Sequence, residues 1–108
     1  GDESCHVAAD LDRLDGIYDV VNIKLDKTGG LTEAKKLLDR AKKMNFDIMV
    51  GCMVGTSLSM AAGMFIATEA SYVDLDAPTM LSSDRDHALT IKDGQMSALN
   101  PKLFGGAQ

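Results

Sequence analysis

The sequence has no tryptophan, two prolines, two cysteines and two histidines among 108 residues, and its aromatic share is 5%. Each scarcity narrows the field. Cys5 and Cys52 form no C-x-x-C pair, so a disulfide scaffold has no support and a reduced compartment suits them better. His6 and His87 have no metal-ligand spacing, and Cys52 lacks an obvious histidine partner for nucleophilic catalysis. Lys and Arg number 11 against 16 Asp and Glu, for a net charge of −5. With no basic cluster interleaved with aromatics, nucleic-acid binding is set aside, because phosphate neutralisation needs concentrated positive charge. The longest apolar run, Met60 to Ala67, is interrupted by Gly63 and falls far short of the ~20 residues a membrane span needs. No secretory pattern is visible, and cytoplasmic residence is the expectation.

What is present is an ordinary soluble composition, 45% hydrophobic and 25% charged, arranged in a regular alternation. Ser4 is placed to cap a helix over Cys5 to Leu14, ended by Asp15-Gly16. Tyr18 to Leu25 carries the β-branched run Val20, Val21 and Ile23, with Asn22 and Lys24 on one face by the two-residue period of a strand. After the Thr28-Gly29-Gly30 turn, Leu31, Ala34, Leu38 and Ala41 form a helical apolar stripe, opposite a solvated face of Lys35, Lys36, Arg40, Lys42 and Lys43. Asn45 closes that helix. Phe46 to Met53 reads as a second strand, nearly all apolar, as in a parallel sheet covered on both sides.

Thr56 or Ser57 starts a helix through Ile66, and Tyr72 to Asp76 makes a third strand stopped by Ala77-Pro78. Short connections between alternating helices and strands imply parallel strands joined by crossovers. The polar strand-end residues Asp2, Lys24, Cys52 and Asp76 recur at the stride of a βα repeat. A doubly wound sheet would alternate similarly, but its G-x-G-x-x-G marker is absent. A (β/α)₈ barrel is preferred, because barrels collect their chemistry at the C-terminal ends of strands. Gly1 and Asp2 look like the tail of a strand lying upstream. From Ser82 onward the pattern changes, to a hairpin about Asp93-Gly94 within Asp86 to Leu99 and a loose tail from Pro101 to Gln108.

Several residues are candidates for chemistry. Lys24 is placed at the barrel mouth, where it either snorkels to solvent, pairs with Asp26, or serves as a general base. Asp2 either favours a helix start, together with Glu3, or ligates a hard divalent cation, for which one carboxylate is not enough. Asp74 and Asp76 flank Leu75 and point the same way; as like charges they repel unless solvated or joined by a cation such as a substrate ammonium. Gly51, Cys52 and Met53 end the second strand as candidate pocket lining, with Gly51 leaving room for substrate.

Taken together, Asp2-Glu3-Ser4, the run Val21-Asn22-Ile23-Lys24-Leu25-Asp26-Lys27-Thr28-Gly29-Gly30-Leu31, Val50-Gly51-Cys52-Met53 and Asp74-Leu75-Asp76 closely resemble the enolase superfamily. Within it they resemble dipeptide epimerases of the L-Ala-D/L-Glu epimerase type, in the muconate-cycloisomerase-like subgroup. The resemblance implies an α/β fold: the C-terminal part of a (β/α)₈ TIM-type barrel, from the end of strand five through strand eight. Residues 1–84 would form this partial catalytic domain, and residues 85–108 would pack on a capping domain. It further implies that Asp2 is a ligand of an essential Mg²⁺, that Lys24 is an acid/base, and that Asp74 with Asp76 holds the α-ammonium of a dipeptide. Gly51, Cys52 and Met53 would line the pocket.

The implied activity of the intact protein is Mg²⁺-dependent epimerisation by 1,1-proton transfer through a metal-stabilised enolate. Lys24 would work on one face and a second acid/base, with no counterpart here, on the other. The resemblance also leads to the expectation of a homo-oligomer. A cycloisomerase or an o-succinylbenzoate synthase is the enzyme alternative, although their substrates give a D-x-D pair no ammonium to hold. The other alternative is an inactive barrel fragment that associates through unpaired edges.

Overall fold

In the computed structural model, which describes residues 1–105, the chemistry of the fold starts from strand β1 (Val20–Ile23). It pairs in parallel with β2 (Asp47–Val50), Val21 opposite Ile48 and Ile23 opposite Val50, and β2 pairs in parallel with β3 (Tyr72–Val73). The order β1-β2-β3 is sequential. Gly1 lies along the other edge of β1, its amino group donating to Val20 O at 2.7 Å and its carbonyl accepting from Asn22 N at 2.9 Å. It therefore occupies the next parallel position in the sheet.

The two-residue period sorts the sheet into two faces. Val21, Ile23, Ile48 and Val50 are buried against the helices, whereas Asn22, Lys24 and Met49 on the other face are half-buried. The near-continuous apolar character of Phe46 to Met53 suggested cover on both sides, but here one side is fully buried and Asp47 is exposed.

Three helices follow from local signals. The four-residue α1 (Leu25–Thr28) ends at Gly29, whose φ of 78° is left-handed, and Gly30 at φ 131° redirects the chain. Helix α2 (Leu31–Lys43) buries Ala34, Leu37, Leu38 and Ala41 and ends at Met44 and Asn45, the latter at φ 63°. Its outer side is solvated and ion-paired, as the charge pattern predicts. Helix α3 (Ser57–Ala67) packs by small residues: a Cβ on Gly63 would stand 3.2 Å from Leu75 Cδ2, so glycine lets buried Leu75 approach the helix.

Some expectations are corrected. The first helix is a 3-10 segment over Ala8–Arg13, and the carboxylate of Asp10, not Ser4, takes the free N–H groups of His6 (2.9 Å) and Val7 (3.0 Å). Those two donors, Val7 first, hold the Asp10 carboxyl down to about 2. All three strands are shorter than expected. Tyr18 N is tied back to Leu14 O, and Phe46 N to Ala41 O, so residues read as strand are helix ends. Leu25 already belongs to α1. On β3, pairing stops once Asp74 N reaches Val50 O, and Tyr72 and Val73 are each 55% exposed at the sheet edge.

Beyond β3, Ala77–Met80 forms a 3-10 turn, and β4 (Ile91–Lys92) pairs antiparallel with β5 (Gln95–Met96). Asp93 (φ 50°) and Gly94 (φ 73°) provide the two positive φ values a two-residue hairpin turn requires. Asp84 anchors this region to α3: its carboxylate accepts from Ser57 Oγ at 2.5 Å and Ser57 N at 3.0 Å, and Ser57 Oγ accepts from Leu89 N at 3.0 Å. Phe104 meets Phe65 edge-on, with ring centroids 5.5 Å apart. The expected segment 85–108 extends past the described residues, since 106–108 lie outside them. Among the described residues no helix is long and apolar enough to cross a membrane.

Candidate active site

Parallel pairing brings the C-terminal ends of Gly1-Asp2, β1, β2 and β3 to one rim, and the candidate residues from the sequence gather there. Lys24 follows β1 and caps the start of α1. Its Nζ donates to Asp2 Oδ2 at 3.0 Å, and its side chain is 14% exposed. The alternative pairing with Asp26 is not observed; Asp26 is exposed. Lys24 is thus neither snorkelling freely nor satisfied by its own helix. It is held against the carboxylate at the end of the neighbouring strand.

A second lysine was not anticipated. Lys27 Nζ donates to Asp2 Oδ1 at 2.6 Å, to Asp2 O at 3.0 Å and to Glu3 Oε1 at 2.9 Å, and its side chain is 10% exposed. The signal was a three-residue spacing from Lys24, which faces the same way only if a helical turn begins at Leu25. Burial pushes the Asp2 carboxyl up, but hydrogen bonds from Lys27 and Lys24 outweigh it and hold the group below its ordinary value. Burial likewise depresses Lys27, and its bonds to Asp2 and Glu3 more than reverse the effect.

Across the rim stand Asp74 and Asp76. Burial raises the Asp74 carboxyl, and the neighbouring Asp76 carboxyl raises it further, while Lys24 pulls the other way. Such a pair favours a shared proton or an external cation. Cys52 lies between the two groups. Burial raises its thiol, which also feels Asp74, Asp76 and Lys24, so it is an uncharged wall of the site. Met53 is exposed at the rim. Gly51 is buried, and the space its missing side chain leaves is already taken: a Cβ there would stand 2.8 Å from Asn22 Oδ1 and 3.1 Å from Lys24 Cε. His6 and His87 are both exposed. A cavity of about 550 Å³ lies beside β3 and the hairpin, lined by Met64, Thr68, Val73, Asp74, Ile91 and Met96, and it does not reach Lys24.

The residues fit one share of a hard-cation site. Asp2 is an ionised oxygen donor, 42% exposed. Among the described residues no group of three or more His, Cys, Asp or Glu side chains stands together.

The sequence model of the family described as Enolase C-terminal domain-like matches residues 1–102. The chain belongs to that family. Its parallel strands and covering helices are therefore a part of the α/β barrel expected from the sequence. It is 59% identical over 106 residues to an N-acetyl-D-glutamate racemase of a Pseudoalteromonas species, covering 98% of this chain and 34% of the relative. It is 46% identical over 95 residues to the L-Ala-D/L-Glu epimerase of Escherichia coli K12, covering 88% and 30%. A crystal structure of an enolase family member from Agrobacterium tumefaciens, with homology to dipeptide epimerases and with sodium and L-Ala-L-Glu bound, superposes with a TM-score of 0.92. That protein is 47% identical, with 96% of this chain and 32% of that one covered. The chain spans about a third of the length of these relatives.

Proposed function

We propose that this chain forms one side of the active site of an isomerase that inverts the α-carbon of an N-acylated amino acid, with a dipeptide such as L-Ala-D/L-Glu as substrate. One observation carries the reading: the Lys24 ammonium lies 3.0 Å from the Asp2 carboxylate, on the rim that also holds Asp74 and Asp76. An α-proton beside a carboxylate is weakly acidic, and removing it requires a positioned base and a charge to offset the carbanion.

Lys24 Nζ would take or return that proton on one face. Asp74 and Asp76 would receive the substrate's α-ammonium, which relieves the repulsion between them. Cys52, Met53 and the buried Gly51 would form the wall beside the reacting carbon. Asp2 would supply one ligand to a Mg²⁺ ion, with the other donors coming from further residues of the protein. When bound, Mg²⁺ supplies Lewis-acid stabilisation of negative charge on the substrate carboxylate. In this proposal residues 1–84 belong to the barrel and 85–108 reach a capping domain, and the protein is a cytoplasmic homo-oligomer.

The likeness to an N-acetyl-D-glutamate racemase favours a second reading. N-acetylglutamate and L-Ala-Glu are both N-acylglutamates, and the same proton transfer serves both. They differ in the acyl group, because only the dipeptide brings an ammonium to Asp74 and Asp76. The test is deuterium uptake at the glutamate α-carbon by the full-length protein with Mg²⁺, on L-Ala-L-Glu and on N-acetyl-L-glutamate. The dipeptide reading expects preference for L-Ala-L-Glu and, in Asp76→Asn, a rise in its KM of roughly tenfold, from loss of a charge-assisted contact. Preference for N-acetylglutamate with dipeptide KM unchanged in Asp76→Asn would replace it by the racemase reading.

A further inference from the structure

Asn22 is a half-buried polar residue beside this rim to which the proposed chemistry gives no role. It precedes Lys24 by two residues on β1 and so shares its face. Its Oδ1 is buried and has no hydrogen-bond partner among the described residues. Native structures rarely leave such an atom unpaired, because the lost hydration is not returned. Asn22 Oδ1 and Lys24 Cε also crowd the same point: both lie within 3.1 Å of where a Cβ on Gly51 would be. Glycine at the end of β2 therefore lets these two side chains lie together across the neighbouring strand.

Lys24 Nζ now spends a hydrogen bond on Asp2 Oδ2. In the proposed function Asp2 turns its oxygens to a cation, and Lys24 must then leave it to face the substrate. We infer that Asn22 is the positioning residue for Lys24: its free Oδ1 accepts a hydrogen bond from the lysine as it turns from Asp2 to the α-carbon, and Gly51 keeps the room for that exchange. The inference rests on the reading of Lys24 as the acid/base for one face of the substrate.

That face-specificity supplies the test. In the full-length protein with Mg²⁺, deuterium uptake at the α-carbon is measured separately from the two epimers of Ala-Glu, for wild type and for Asn22→Leu, Asn22→Asp and Gly51→Ala. Asn22→Leu keeps the size and removes the acceptor. It is expected to slow exchange from the epimer that presents its proton to Lys24 by ~10- to 100-fold, with KM unchanged and the other epimer affected less than about threefold. Asn22→Asp keeps an acceptor oxygen and is expected to recover most of the lost rate. Gly51→Ala is expected to reproduce the asymmetry of Asn22→Leu. Equal slowing from both epimers, or no slowing in Asn22→Leu, would overturn the positioning role while leaving the function of Lys24 intact. A wild-type protein that exchanges neither epimer would overturn the function itself, and this inference with it.

Discussion

The rim and the outer face of α2 hold the same kind of bond in different surroundings. On the rim Lys24 and Lys27 reach Asp2 at 3.0 and 2.6 Å; on the outer face Lys35 reaches Asp39 at 2.8 Å and Lys42 reaches Glu69 at 2.8 Å. Distance does not separate them. Exposure does: the rim lysine side chains are 14% and 10% exposed, and those of Lys35 and Lys42 are 51% and 50%. Water screens the outer pairs to a median worth of about 0–1 kcal/mol, whereas half-buried charges are held in place by each other. The rim cluster sets two lysines against two carboxylates, Lys24 and Lys27 sharing Asp2 while Lys27 also reaches Glu3.

Substitutions on each side sharpen that contrast. The largest effect after Lys24 itself is expected from Lys27→Met, which removes three hydrogen bonds from the Asp2–Glu3 segment. Steady-state assays of the full-length protein should show kcat/KM lowered by ~10- to 100-fold, as when the support of a ligand-bearing residue is lost. Next comes Ser57→Ala at the start of α3, which leaves Leu89 N without its buried acceptor and Asp84 with backbone donors alone. Thermal unfolding should show a loss of about 1–3 kcal/mol with little change in KM. The smallest effect is expected from Lys42→Met, where loss of the exposed pair to Glu69 should cost less than about 1 kcal/mol and vanish in high salt.

Acid offers a further comparison within the anchor at Ser57. The hydrogen bond from the Ser57 hydroxyl, joined by the backbone N–H groups of Arg85 and Ser57, holds the Asp84 carboxyl below its ordinary value against the opposing effect of burial. A carboxyl lowered on folding contributes stability that is complete above its unfolded value of about 3.9 and is lost as pH falls through the folded one. The difference in melting temperature between wild type and Asp84→Asn should therefore be full at neutral pH and close in acid. A gap that widens in acid would contradict the assignment.

How much of this was legible before folding depends on the range of each signal. The stripe of α2, the stop at Asn45 and the turn at Asp93-Gly94 are local, and each lies where its residues place it. The meeting of Asp2 with Lys24 was within reach because strand period and repeat stride together put both at one rim. Lys27 was hidden by a four-residue helix too short to leave a periodic pattern. Ser4 and Asp10 competed for one cap, and the carboxylate reaching back from within the turn won. The contacts of Gly51 with Asn22 and of Ser57 with Asp84 cross between elements, and no local rule announces them.

The most direct test of the account is the Lys24→Ala variant of the full-length protein, followed by NMR in deuterated buffer with Mg²⁺ and each epimer of Ala-Glu. Proton transfer by Lys24 predicts that α-proton exchange falls by about 10²- to 10⁴-fold from the epimer whose proton faces it, and that net epimerisation falls with it. Wild-type rates of exchange from both epimers would show that this lysine has no part in the chemistry.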